Sequence, residues 1–183
     1  MLWNRGKFSS CNYIRNLKLS FAYQNKVMEL DNLDIKTLSL FCQQGRITWA
    51  ELASQLGLSA PAAADRVKRL EERGIITGYS AQLDAEALGL NLTAFIAVTL
   101  DQPHHREGFL AAVQATAEIL ECHHVTGDDD YLLKVRCCHT RALEALITEG
   151  LKAIAGVVKT RTLIVLSTVK ETQMPSLNHL SES

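Results

Sequence analysis

Between positions 31 and 74 the apolar side chains recur at steps of three and four. Ile35, Leu38, Phe41 and Cys42 mark a first helix that opens at Asp31 as N-cap and is broken by Gly45. Thr48 and Glu51 then stand in capping-box spacing, the hydroxyl bonding forward and the carboxylate reaching back. The short helix they open carries Leu52, Ala53 and Leu56 on one face and stops at Gly57. Ser59 caps a third helix, with Pro61 in its first turn, where a missing N–H costs nothing. Ala63, Val67 and Leu70 form its apolar stripe, and Gly74 ends it. Three helices, the last two joined by a tight glycine turn, make a helix-turn-helix pattern. The stretch IITGYSAQLD is expected to add one or two short β segments around Gly78 as a wing, and EALGL closes the unit near residue 92.

The period changes at Thr93. TAFIAVTL predicts a strand, REGFLAAVQAT an amphipathic helix, ILECHHVT a strand, GDD a turn and YLLKVRCC a strand. TRALEALITEGLKAI predicts a helix and GVVKTRTLIVLSTV a long closing strand. The order βαββαβ is that of the ferredoxin-like α/β sandwich. The expected class is therefore α+β: a winged helix-turn-helix domain over 29–92, a ferredoxin-like domain over 93–170, and a polar tail over 171–183.

Charge changes this picture at the N-terminus. Residues 1–28 hold Arg5, Lys7, Arg15, Lys18 and Lys26 with no acid, whereas the other 155 residues hold 14 basic and 20 acidic side chains. The first 28 residues show no sustained period and no apolar run for a secretory signal. They are expected to be a disordered basic extension, an electrostatic arm for DNA, or a stretch upstream of a start at Met28. Five cysteines with no CxxC pair point to a reducing compartment, the cytosol. The stretches CHH at Cys122 and CCH at Cys137 match no zinc template, so neither a metal nor a cofactor is expected. No apolar run approaches the ~20 residues of a membrane span.

The third helix carries the candidate DNA surface. At 100° per residue, Ala63 and Leu70 lie within roughly 60° of Val67. Pro61, Ala62, Asp65, Lys68 and Arg69 project from the opposite side, with Arg66 on the flank. In a helix-turn-helix the start of this face meets base edges and later basic residues neutralise phosphates. Ala62 suits a thymine methyl, Asp65 a cytosine amino group, and Lys68 and Arg69 phosphates. Thr48 and Trp49 at the start of the second helix, with Ser59 and Ala60 at the start of the third, complete the set. Four basic and three acidic residues between Leu58 and Gly74 leave the helix near neutral, and residues 29–92 carry six basic against nine acidic side chains. One copy should therefore bind DNA poorly, and two on adjacent half-sites better. The plainer alternative is a solvated face of internally paired charges.

Together, in order and spacing, LDNLDIKTL, GRITWAELASQLGLS, RVKRLEERGIITGYSAQLD, LGL, VTGDDDYLLKV and GVVKTRT resemble the Lrp/AsnC family of transcription factors over nearly all of 30–170. The resemblance implies an N-terminal double-stranded DNA-binding domain. It also implies a C-terminal domain that dimerises, assembles further and often binds amino acids. Ala64 and Asp65 depart from the basic residues that many relatives carry there.

The candidate effector site is the hairpin Thr126, Gly127, Asp128, Asp129, Asp130 and Tyr131. Taking Asp128 and Asp129 as a two-residue turn sets Glu121 opposite Arg136, Leu120 opposite Cys137 and Cys122 opposite Val135. Three carboxylates then cluster at the tip, able to accept an ammonium group, with backbone N–H groups left for a carboxylate. From the residues alone a solvated acidic turn is the simpler account. The resemblance favours a small amino-acid effector, because relatives bind one near this loop. Two alternatives remain: an amino-acid-binding or scaffold protein that has lost DNA binding, and a siroheme-decarboxylase-like enzyme using His104, His105, His123 and His124. The second lacks a nucleophile–base set, so the chain is not expected to be an enzyme.

Overall fold

The computed structural model describes residues 30–172, 174 and 177. The basic segment 1–28 and most of the polar tail lie outside the described residues. The chain divides into two compact units between Ser80 and Ala81, so residues 81–92 group with the second unit rather than the first.

The first unit holds helices α1 (Asn32–Gln43), α2 (Trp49–Leu56) and α3 (Ala60–Glu72). Asp31 caps α1 in a reciprocal box: Asp34 N–H donates to Asp31 Oδ1 at 2.6 Å, and Asp31 N–H donates to Asp34 Oδ2 at 3.3 Å. Thr48 and Glu51 repeat this device on α2. Gly57 and Gly74 both take φ +70°, and each is followed by an N–H that bonds back over the helix end, Leu58 to Ala53 O and Ile75 to Leu70 O, both at 2.9 Å. That αL glycine closure turns the chain sharply and satisfies carbonyls that would otherwise be orphaned. Leu52, Ala53, Leu56, Ala63 and Val67 form the core, with Leu33, Leu40, Phe41, Ile47, Leu58 and Ile76 packed around it. Cys42, expected on the apolar face of α1, is exposed. The β segments expected around Gly78 do not form, and residues 77–84 carry no regular structure.

Arg66 ties this unit together. Its guanidinium donates to both oxygens of Asp31, at 2.6 and 2.7 Å, and to Asp34. Asp34 is buried, and Arg73 approaches it to 3.7 Å. The pair fixes the start of α1 against the middle of α3. The same guanidinium holds the Asp31 carboxyl below its ordinary range.

The second unit is an antiparallel sheet of β1 (Leu92–Leu100), β2 (Ile119–His124), β3 (Tyr131–Cys137) and β4 (Val157–Ile164), in the order β2-β3-β1-β4. Helix α4 (Arg106–Ala115) follows β1, and α5 (Thr140–Ala145) follows β3, giving the βαββαβ order. The predicted helix over 140–154 changes pitch: α5 widens into a π turn at Leu146–Gly150 and tightens into a 3-10 turn at Leu151–Ala153. One sheet face buries Ala94, Ile96, Val98, Tyr131, Leu133, Val135 and Cys137 against Phe109, Val113, Leu143, Leu146 and Leu151. The long closing strand ends at Ile164, five residues early. Its partner β1 begins at Leu92, so beyond the Val165 N–H bond to Thr93 O there is no further ladder to join.

The hairpin register also differs from the expected one. Glu121 faces Lys134, Cys122 faces Leu133 and His124 faces Tyr131, a shift of two residues along β3. Opposite charges pair in either register, so cross-strand complementarity did not distinguish them. The loop decided it. Six residues, 125–130, connect the strands, because Asp129 and Asp130 bond to β1 and β4 rather than forming a tight turn.

Two outcomes test the clamp. Arg66→Ala removes the nearest cation from a buried carboxylate and should destabilise the first unit by about 1–3 kcal/mol in urea unfolding. An unchanged midpoint would rule the clamp out as a stabilising contact. Because the folded Asp31 carboxyl is depressed, its contribution is complete above its unfolded value, about pH 4, and is lost as pH falls through the folded value. The thermal midpoints of the unaltered chain and Asp31→Asn, which keeps a competent cap, should therefore differ steadily above about pH 4 and converge as the pH falls below it.

Candidate functional site

On α3 the exposed strip holds Ala60, Pro61, Ala62, Asp65, Lys68 and Arg69, opposite the buried Ala63, Val67 and Leu70. Ser59 Oγ accepts from Ala62 N–H at 3.4 Å, so that hydroxyl serves the cap. Thr48 Oγ1 is likewise engaged with Glu51 in the α2 box, while Trp49 stands half exposed beside it. Lys68 and Arg69 lie 3.7 and 3.9 Å from Glu72 and Asp65 in i,i+4 pairs, all four side chains more than half exposed. Such pairs are weak and exchangeable, so both cations remain available to a phosphate. Arg66 corrects the expected set. With its side chain 13% exposed and committed to Asp31 and Asp34, it faces α1 instead of the DNA strip. The missed partners lie 35 and 32 residues upstream, and only the tertiary fold brings them to it.

The loop 125–130 is held more tightly than an acidic turn. Asp130 N–H donates to Val98 O at 2.9 Å, and Asp130 Oδ2 accepts from Leu100 N–H at 2.7 Å. The β1–β4 register slips at Thr99/Leu100, which leaves the Leu100 N–H to the side chain. Asp129 is buried, accepting from Thr99 Oγ1 at 3.2 Å and from Arg161 at 2.8 Å, with Lys159 at 3.8 Å. The Arg161 bond first, then Thr99, holds the Asp129 carboxyl below the usual range. The expected cluster of three available carboxylates is therefore corrected to one. Asp128 stays exposed beside Thr126 and Gly127, whose φ of +124° favours glycine. Tyr131 is not at the tip but buried, its ring against Phe109 and His124. Thr99, Lys159 and Arg161 were missed because nothing in their spacing announces a contact with position 129.

The four histidines have neighbours within the chain. His105 Nδ1 lies 2.7 Å from Asp101 Oδ1 and packs over Gly156, while His104 contacts the His105 ring. His123 pairs with Glu121 at 3.0 Å, and His124 packs on Tyr131. The four histidines thus fall in two separate places, and among the described residues no group of three or more His, Cys, Asp or Glu is arranged to hold a metal ion. Burial pushes the Cys122 and Cys137 thiols up. A polar recess of about 330 Å³ is lined by Asp84, Thr93, Ser167 and Thr168, with Arg136 and Glu171 facing each other at 3.9 Å. No helix among the described residues is long and apolar enough to cross a membrane.

Comparison with known proteins accords with this geometry. Residues 30–77 match the family model for a winged helix-turn-helix DNA-binding domain, and residues 93–175 match the Lrp/AsnC ligand binding domain. The leucine-responsive regulatory protein of Haemophilus influenzae is 42% identical over 145 residues, 78% of this chain and 87% of that one. A transcriptional regulator of Neisseria meningitidis in complex with L-Met superposes with a TM-score of 0.80 at 36% identity, covering 83% of this chain and 99% of the other. The feast or famine regulatory protein of M. tuberculosis, complexed with L-methionine, gives 0.75 at 36% identity, covering 81% and 99%. With both halves matched and the identity to a leucine-responsive regulator running across them, the chain belongs to the Lrp/AsnC family of transcriptional regulators.

Proposed function

We propose that this regulator binds double-stranded operator DNA through α3 as a homodimer or larger assembly, and that an amino acid held by loop 125–130 shifts assembly and DNA binding together. The observation that carries the DNA half is the exposed strip Ala62–Asp65–Lys68–Arg69, set opposite a buried stripe and held by a clamp that uses none of its residues. Ala62 and Asp65 take the base-edge positions and Lys68 and Arg69 the phosphates. With its acids counted, one helix supplies little net attraction, so two copies on adjacent half-sites suit the chemistry. Association is supported by the uncovered apolar side chains of the edge strand β4, Leu163 beside Phe95 on the sheet face away from the helices and Ile164 on the other. For the effector, two relatives crystallised with methionine, and here Asp128 with its neighbouring backbone offers a carboxylate and N–H groups to a zwitterion. Coupling between the two sites is reciprocal: a ligand that alters DNA affinity has its own affinity altered equally by DNA.

The DNA assignment is tested by anisotropy titrations across a salt series. Lys68→Ala and Arg69→Ala should each weaken binding to all sequences and reduce the log–log salt slope by about 0.9 per lost phosphate contact. Substitutions at Ala62 or Asp65 should instead change which sequences are preferred. Unchanged affinity in the double Lys68/Arg69 variant would remove α3 from the interface. For the effector, calorimetric titration with L-methionine and L-leucine should show binding that Asp128→Ala weakens. Equal affinity in that variant places the ligand elsewhere.

A further inference from the structure

Two consecutive acids of the loop grip different strands. Asp130 bonds the backbone of β1 at Val98 and Leu100, whereas Asp129 passes over Thr99 of β1 to reach Arg161 and Lys159 on β4. The register makes this possible. Ala97 pairs with Arg161 and Thr99 with Lys159, so these four side chains project from one sheet face, opposite the one covered by α4 and α5. Asp129 is 8% exposed while its two cations are about 60% exposed. A buried acid meeting solvent-facing bases at a sheet edge adds little to global stability, yet it fixes where its loop lies.

We propose that Asp129 is a positioning residue: through Arg161 it latches loop 125–130 across β1 to the edge strand β4 and holds the loop in its ligand-ready shape. This rests on the assignment of the loop as the effector site. It assigns Asp129 a role different from Asp128, which meets the ligand itself.

The test uses the full chain, with Asp129→Asn, Arg161→Gln, the double variant and the conservative Asp129→Glu. In hydrogen exchange, Asp129→Asn should speed the Val125 and Asp130 amides by roughly tenfold and leave the Ile96 and Leu133 amides unchanged. Each single variant should weaken L-methionine binding by about fivefold, the double should be no weaker than either single, and Asp129→Glu should restore part of the loss. Exchange at Val125 and Asp130 unchanged by Asp129→Asn would overturn the latch, as would strictly additive losses in the double variant. Absence of methionine and leucine binding by the unaltered chain would instead overturn the effector assignment, and the exchange rates alone would then decide the latch.

Discussion

A carboxylate removed from water must be met by a cation or by donated hydrogen bonds, and that requirement organises both candidate surfaces of this chain. Asp34 and Asp129 are the buried acids among the described residues. Each joins the element bearing a candidate surface to the rest of its unit, Asp34 through Arg66 on α3 and Asp129 through Arg161 on β4. Neither pair is ornamental to its surface. Arg66 and Asp34 are both largely removed from water, so truncating one leaves the other charge uncompensated, whereas Asp129 is buried against an Arg161 that is mostly exposed, a contact that adds little to stability.

The division of labour among charges follows. On α3 the guanidinium nearest the core is consumed by α1, while the cations further round the helix keep only long, solvated i,i+4 partners. In loop 125–130 two of three acids are consumed by the sheet, and the outermost is left free of those bonds. A count of charges along the chain treats such residues as equivalent. Burial separates them, because desolvation raises the cost of an unpaired charge on one side of a helix or loop and not on the other.

A similar economy operates on the sheet face away from the helices. Lys134 is nearly buried between Glu121 and Glu171, and those two carboxylates, Glu171 first, push its ammonium pKa up. Glu171 also approaches Arg136, which donates to Thr93 Oγ1. The segment after β4 thereby returns to β3 through charge alone, while Leu166 and Val169 on the same segment stay almost fully exposed. Polar contacts place this stretch; apolar burial within a single copy does not.

Local rules sufficed for much of the architecture. The N-caps Asp31, Thr48 and Ser59, the glycine closures at 57 and 74, the stripe Ala63–Val67–Leu70 and the βαββαβ order were all legible in the sequence, since each depends on residues within one or two turns or on a simple period. The β segments at Gly78, the length of β4, the hairpin register and the roles of Arg66 and Asp129 were not. Their energies lie in contacts between residues 30 or more positions apart, or in the presence or absence of a ladder partner. Local pattern carries no record of those. In the hairpin two registers satisfied the same cross-strand charge rule, and the choice passed to Thr99, Leu100 and Arg161 on strands outside it. Sequence alone determined the three helices, their caps and the βαββαβ order with its apolar stripes, because each rests on a local period. The tertiary structure decided which of several equivalent charges is buried, because only packing sets the local cost of desolvation.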